Sequence, residues 1–482
     1  MGNEPVSAYV EKRRQNYCDL SDRIWRSPEL NFQEFRSSAE HARMIEAEGF
    51  RVLERVAGMP TAVGGEAGRD GPVIAILGEY DALPGLSQVA GIAEPQSLTH
   101  GGNGHGCGHN LLGSASLLAA AALKEWLAES NLPGRVRYIG CPAEEGGSAK
   151  SFMAKAGVFD DVDIAICWHP GPFTGVTTPR SLACVEAEFE FAGRAAHAAA
   201  APHLGRSALD AIELMHVGVN YLREHMPPGA RVHYAITETG GVAPNVVQAQ
   251  ARARHLVRAA TLDEMWSLFS RVVDIARGAA LMTGTTMSWA QVSGEANLIG
   301  NPVLEQLMDE TLRRLGSPAF DAADRAYAAA IQATLNPADI RTARMNFNLA
   351  PDSDDPLTEE IYPLGAGSPN AIGSTDVGTV SWIVPTVQCR VATCAVGTPA
   401  HSWQMVAQGC APAAHKGMVF AAKAMAEVAA SLYADPSLLR AACREHVEFR
   451  ATHPFKNPIE NAAQLNLPTE PPSEMRNSSF SG

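Results

Sequence analysis

Apolar residues recur along the chain at two spacings, and the changes from one to the other outline its architecture. Pro72-Val73-Ile74-Ala75-Ile76-Leu77 is a short unbroken apolar run, as expected of a strand buried on both faces. Leu111 to Leu127 reads as a helix, and Val136 to Cys141 and Val162 to Trp168 as two more strands. Ahead of these, the first 55 residues read as helix. Ser27-Pro28-Glu29 breaks that region, and Ala39, Ala42, Met44 and Ile45 keep helical spacing up to Gly49. The strand–helix–strand succession predicts an α/β fold, a mixed and mostly parallel sheet flanked by helices.

Near residue 184 the pattern changes. Cys184 to Phe191 and Arg231 to Thr237 alternate like half-exposed strands, and Val246 to Val257 is also strand-like. Arg206 to Arg223 and Leu262 to Ala279 read as helices. This predicts a compact α+β domain over 184–297 inserted into an α/β domain made of 1–183 and 298–453. From Pro454, prolines at 458, 468, 471 and 472 predict an extended or disordered tail over 454–482.

Composition narrows the function. The 482 residues are 46% hydrophobic and 19% charged, enough for a sizeable core. Acids outnumber Lys and Arg by 52 to 38, a net charge of −14, which argues against nucleic acid as a partner. The start, MGNEPVSAYVEKRR, lacks the apolar segment of a secretory signal. The longest apolar stretch, Leu111 to Leu123, is too short to span a bilayer. Nine scattered cysteines without a CxxC pair suit a reducing compartment and argue against redox-thiol chemistry. A cytoplasmic protein without a membrane partner is expected.

Three stretches carry candidate chemistry. In Gly101 to Gly113, GGNGHGCGHNLLG, glycines surround His105, Cys107 and His109, and imidazole with thiolate suits a zinc-like metal. A flexible turn with an ordinary buried cysteine is the plainer alternative. Glu144 and Glu145 follow the strand ending at Cys141. Adjacent acids there are costly without a cation, whereas beside a metal one can ligate and the other move a proton; a solvated acidic turn is the alternative. His169 ends a third strand, and sites in open α/β sheets lie at the carboxyl ends of the strands. His401, on the turn Gly397-Thr398-Pro399-Ala400-His401, is weak by itself.

Together these stretches resemble the M20 metallopeptidase–amidohydrolase family, in the branch that uses a bridging cysteine. Glu79-Tyr80-Asp81-Ala82-Leu83-Pro84, His105-Gly106-Cys107-Gly108-His109, Glu144-Glu145, Trp168-His169-Pro170 and His401 carry the likeness. It extends from Pro28-Glu29-Leu30 to Ala414-His415-Lys416-Gly417-Met418. The resemblance implies a zinc-peptidase-like catalytic domain with an inserted lid and dimerisation domain. It implies Cys107, His109, Glu145, His169 and His401 as ligands of one or two divalent ions, zinc or manganese, with Cys107 bridging. It implies Glu144 as general base and Asp81 as the group orienting a ligand imidazole. Two positions depart from the family pattern: Glu79 stands where many members have a ligand histidine, and Asn110 where an aspartate is common.

The inserted domain matches as well. His197, in GRAAHAA, resembles the lid histidine that reaches across a dimer interface to complete an oxyanion site; without the family it reads as a helix-start histidine. Asn245 and Arg258 match lid residues that hold a substrate carboxylate, and a guanidinium suits that role. A surface arginine at a strand end is the alternative for Arg258. Ser374-Thr375-Asp376 faces substrate or caps a helix.

The expected function is metal-dependent hydrolysis of the amide bond of an N-acyl amino acid or dipeptide-like compound, by a homodimer or a heteromer with a related subunit. Two alternatives use the same residues: release of ammonia from a different C–N bond, and a metal-binding subunit that supports a partner chain.

Overall fold

The computed structural model describes residues 4–366, 373–459, 467, 468 and 470. Its strands, in chain order, are β1 (Arg51–Glu54), β2 (Val63–Arg69), β3 (Val73–Glu79), β4 (Gly134–Cys141), β5 (Ile164–Gly171), β6 (Gly175–Val176), β7 (Ala183–Ala192), β8 (Arg231–Glu238), β9 (Gln250–Ala259), β10 (Thr286–Glu295) and β11 (Thr386–Ala392).

Seven of these form one sheet in the order β1-β2-β4-β3-β5-β11-β6. The central strands β4, β3, β5 and β11 are mutually parallel, and β1, β2 and β6 are antiparallel additions. All seven residues of β3 are buried, and its two faces feed different cores. Ile74 and Ile76 join the core under the Ala-rich helix His109–Ser130, whereas Val73, Ala75 and Leu77 join that on the other face. Strand β5 repeats this parity, with Ile164, Ile166 and Trp168 on the first face and Ala165 and Cys167 on the second. His169 therefore shares its face with Ala165 and Cys167.

Helix His109–Ser130 is long and apolar enough to cross a membrane, but 78% of its most apolar window is buried in the fold. Alanines at 115 and 119–122 let the helices Val6–Trp25 and Pro412–Ala434 pack closely against it. The expectation of helix through residue 55 ends early: helix Phe35–Ala47 stops and β1 begins at Arg51.

The chain enters a second, antiparallel sheet at Ala183 and leaves it at Glu295, two ends joined through the register pair Cys184 and Glu295. Its order is β10-β7-β9-β8. Phe189 and Phe191 of β7 and Val257 of β9 pack beneath helices Ala208–Leu222 and Leu262–Thr283. The opposite face carries Glu186, Glu188 and Glu190 against Arg252 and Arg254, a ladder of partly exposed ion pairs.

Of the tail expected from Pro454, residues 460–466, 469 and 471–482 lie outside the described residues. Residues 454–459 form neither helix nor strand, yet Ile459 is buried. The Pro458 carbonyl accepts from Gln291 Nε2 (2.6 Å) and the Ile459 carbonyl from Lys155 Nζ (3.2 Å).

Candidate active site

The chemistry-bearing residues gather at the carboxyl ends of the parallel strands. Asp81 follows β3, Glu144 and Glu145 follow β4, His169 lies near the end of β5, and His401 follows β11 on a long loop. Cys107 and His109 arrive on the glycine-rich loop, and His109 is the first residue of its helix. Two glycines make that loop possible. Gly108 has φ +78°, and a Cβ there would come 2.8 Å from Pro170 Cγ and 2.9 Å from Met405 Cε. A Cβ on Gly106 would meet Leu86 Cδ1 at 2.5 Å, and the Gly106 carbonyl accepts the His401 amide at 2.8 Å. That bond helps hold His401 at φ 58°, a left-handed conformation unusual outside glycine.

The candidate ligand atoms form three overlapping sets, two around one thiol and a third made of Glu79, His109 and Glu144. Cys107, His109 and His169 have ligand atoms within 4.8 Å of one another, and so do Cys107, Glu145 and His401. Cys107 Sγ is 3.4 Å from His169 Nε2, and Glu145 Oε2 is 3.3 Å from His401 Nε2. Buried His109 Nε2 and Glu145 Oε1 have no hydrogen-bond partner among the described residues. Unpartnered buried ligand atoms in a cluster with a thiol fit a divalent cation and are costly without one. Burial, then the Glu145 carboxylate, push the Cys107 thiol up to about 12, so a thiolate at neutral pH needs a positive ion beside it.

Neighbours set the orientation of these groups. His109 Nδ1 donates to Asp81 Oδ1 at 2.8 Å, which turns Nε2 toward the other candidate ligands. Burial opposes a charge on this imidazole, but Cys107 and Asp81 push it well above the usual histidine range, so a metal would take the place of the Nε2 proton. Burial would raise the Asp81 carboxyl, but His109 and the Glu145 amide, 2.9 Å from Oδ2, hold it below its ordinary value. Burial pushes His169 well below the usual histidine range, with Arg390 adding to the effect. Burial also pushes Glu144 well above the usual carboxylate range, reinforced by Glu79 and Glu145, so it can hold a proton near neutral pH.

A cavity of about 370 Å³ opens beside these candidate ligands, lined by Glu144, Arg180, Arg258, Glu295, Arg390 and residues of the 373–375 turn among others. Arg258 therefore faces the ligands from the second sheet. His197 and Asn245 do not line it. They are exposed neighbours, with the Asn245 carbonyl accepting the Ala198 amide at 3.0 Å, and His197 precedes a turn rather than a helix. In the 374–376 turn, Ser374 and Thr375 face the cavity. Asp376 occupies the N-cap position of helix Val377–Ile383 without capping it; its carboxylate accepts from the Lys150 amide at 2.9 Å.

Several residues here escaped the sequence reading. Lys150, fully buried, places Nζ 2.6 Å from Glu79 Oε1 and 2.6 Å from Asp376 Oδ1. Arg390 and Glu295 line the cavity from β11 and β10. The signal for Arg390 was a charged residue at the centre of the short strand-like run VQCRVA; Lys150, in an alanine- and glycine-rich stretch, gave none.

Over 460 residues the chain is 46% identical to one of the subunits of p-aminobenzoyl-glutamate hydrolase of Escherichia coli, spanning 93% of this chain and 96% of that one. Residues 75–289 match the peptidase family M20/M25/M40. The protein belongs to the M20 peptidase family. A second relative, Xaa-Arg dipeptidase of Mus musculus, is 31% identical over 90% of both chains. The fold matches that of a dinuclear metal binding peptidase of the M20 family from Bacillus subtilis, with TM-score 0.55 at 19% identity over 88% of this chain and 99% of that one. The protein is thus an M20-family hydrolase with a mixed, mostly parallel sheet and a separate four-stranded antiparallel sheet.

Both departures from the family pattern have local explanations. Glu79 is ion-paired to Lys150, and its other oxygen lies 3.3 Å from His109 Nε2. Asn110 points away from the cluster, its amide donating to Ser21 Oγ (3.0 Å) and the Gly409 carbonyl (3.1 Å), which an aspartate could not do.

Proposed function

We propose that this M20 hydrolase cleaves the amide bond of an N-acyl amino acid or dipeptide-like compound, of the p-aminobenzoyl-glutamate type. The observation that carries this reading is the pair of ligand sets sharing Cys107, with Glu144 in the wall of the adjoining cavity. Cys107, His109, His169, Glu145 and His401 would hold one or two divalent ions, zinc or manganese. When bound, such ions polarise a carbonyl and make water nucleophilic near neutral pH.

The chain's own residues supply the remaining chemistry. Asp81 keeps the proton of His109 on Nδ1 and so directs Nε2 toward the ligand cluster. Glu144 accepts a proton from the attacking water and returns it to the leaving amine, a role suited to a carboxyl whose proton affinity burial has raised. Arg258 pairs with the carboxylate of the amino-acid portion.

Residues 184–297 act as the lid and dimerisation domain. The exposure of Tyr234 and Ile236 on edge strand β8, and of Val217 and Tyr221 on the neighbouring helix, supports a homodimer built through this domain. The exposure of His197 and Asn245 outside the cavity supports their serving a partner subunit's site, His197 as oxyanion donor and Asn245 as carboxylate contact. A heteromer with a related chain is the alternative, since the 46% identical relative is itself one subunit of a hydrolase. Nine free cysteines support a reducing, cytoplasmic compartment.

The test is a panel of N-acyl amino acids given to the zinc- or manganese-loaded chain alone, with free amine and ammonia measured in parallel. Amine release without ammonia is expected. Ammonia without a new amino acid would reassign the scissile bond, and turnover only after a second chain is added would make this a supporting subunit.

A further inference from the structure

The cavity brings two arginines without a carboxylate partner to the edge of the candidate ligand cluster. Arg180, Arg258 and Arg390 all line it, and the Nε atoms of Arg258 and Arg390 are buried without a hydrogen-bond partner among the described residues. Neither of these two arginines is ion-paired with a described carboxylate. They approach from different bodies of the fold, Arg258 from β9 of the second sheet and Arg390 from β11 of the first.

Arg390 sits in register with His169 on the neighbouring parallel strand. Its Nη1 lies over Gly171, 3.5 Å from where a Cβ would stand. On its other side, β6 leads into Thr177, whose buried hydroxyl oxygen also lacks a partner and which lines the same cavity. An unpaired guanidinium beside residues that collect cations is unfavourable twice over, through unsatisfied N–H groups and through repulsion. A bound anion relieves both costs, and a planar guanidinium matches a carboxylate.

We infer that Arg390, with Thr177 beside it, is a second anion-binding point, so that the cavity selects amides carrying two carboxylates, one on Arg258 and one on Arg390. This rests on the amidase reading for the Arg258 contact and extends it to a substrate class. The volume of about 370 Å³ is at the small end of ligand pockets and admits a compact dianion. The second carboxylate can belong to the side chain of an acidic amino acid or to the acyl group; the recognition chemistry is the same.

Two matched pairs separate these sources: 4-aminobenzoyl-glutamate against 4-aminobenzoyl-glutamine, and 4-carboxybenzoyl-glycine against benzoyl-glycine. The metal-loaded enzyme and its Arg390→Gln variant are compared by kcat/KM on all four. Binding alone is read by titrating the same compounds into Glu144→Gln and Glu144→Gln/Arg390→Gln. The expected result is a preference of roughly 10- to 100-fold for the charged member of one pair, collapsing toward one without Arg390. The pair that loses its preference identifies the source. Charged and neutral members weakening in parallel, or a preference that survives Arg390→Gln, would overturn the assignment. Arg390-dependent charge selectivity in binding with no turnover in any enzyme would overturn the amidase reading and uphold the subsite.

Discussion

Asp81 and His109 are joined by a 2.8 Å hydrogen bond from imidazole Nδ1 to carboxylate Oδ1, and both side chains are buried. The second Asp81 oxygen accepts the Glu145 amide at 2.9 Å, so one carboxylate positions two candidate ligands. Asp81→Ala should therefore lower metal affinity by roughly 10- to 100-fold, the scale seen when a ligand histidine loses its outer partner. Competition against a chromophoric chelator measures this; unchanged affinity would remove Asp81 from the site's design.

Metal binding should release protons through Cys107. Burial and Glu145 push its thiol up to about 12, so an ion that takes the thiolate displaces a proton at neutral pH. Apparent affinity should rise by about tenfold or more per pH unit between pH 6 and 8. Titration calorimetry in buffers of differing ionisation enthalpy counts the protons, and Cys107→Ser should release one fewer.

Lys150 is the buried counter-ion for both Glu79 and Asp376. Lys150→Met leaves two buried carboxylates without a cation and should cost about 3–5 kcal/mol in urea unfolding. Adding Asp376→Asn to that variant should recover part of the loss, because one of the stranded charges is then gone. A fully stable Lys150→Met would show that the triad is solvated.

Glu295 gives a pH signature in the metal-free protein. Burial, followed by Asp376, raises its carboxyl to about 7, and Ser148 Oγ donates to it at 2.8 Å. With a folded value above the unfolded one, the folded state binds the extra proton. The stabilisation is complete below the unfolded pKa and is lost as pH rises through about 7. Glu295→Gln keeps a carbonyl for Ser148 and should flatten this decline, melting a few degrees above wild type at pH 8 and not at pH 5.

The sequence was most legible where burial imposes a pattern. Strand β3 is apolar because both its faces are covered, and β7 alternates because only one is. Glu144, Glu145 and His169 stood out at predicted strand ends and Cys107 and His109 in a glycine-rich loop, whereas His401 was weak by itself. Strand β2, Val63–Arg69, was missed because VGGEAGR carries three glycines and little β propensity. They are there for packing: a Cβ on Gly65 would come 2.6 Å from Ile45 Cγ2. Edge strand β10 was also unread, since most of its first half is exposed and its alternation is weak. Lys150 and Arg390 gain meaning only from residues far away in sequence, Asp376 and His169, which no local pattern connects.

The proposed mechanism depends most on Glu144 moving the proton without binding the metal. Glu144→Ala, loaded with zinc or manganese, should retain the wild-type metal content while kcat on an N-acyl glutamate falls by roughly 10²- to 10⁴-fold. A variant that keeps its metal and hydrolyses the substrate at the wild-type rate would contradict the mechanism.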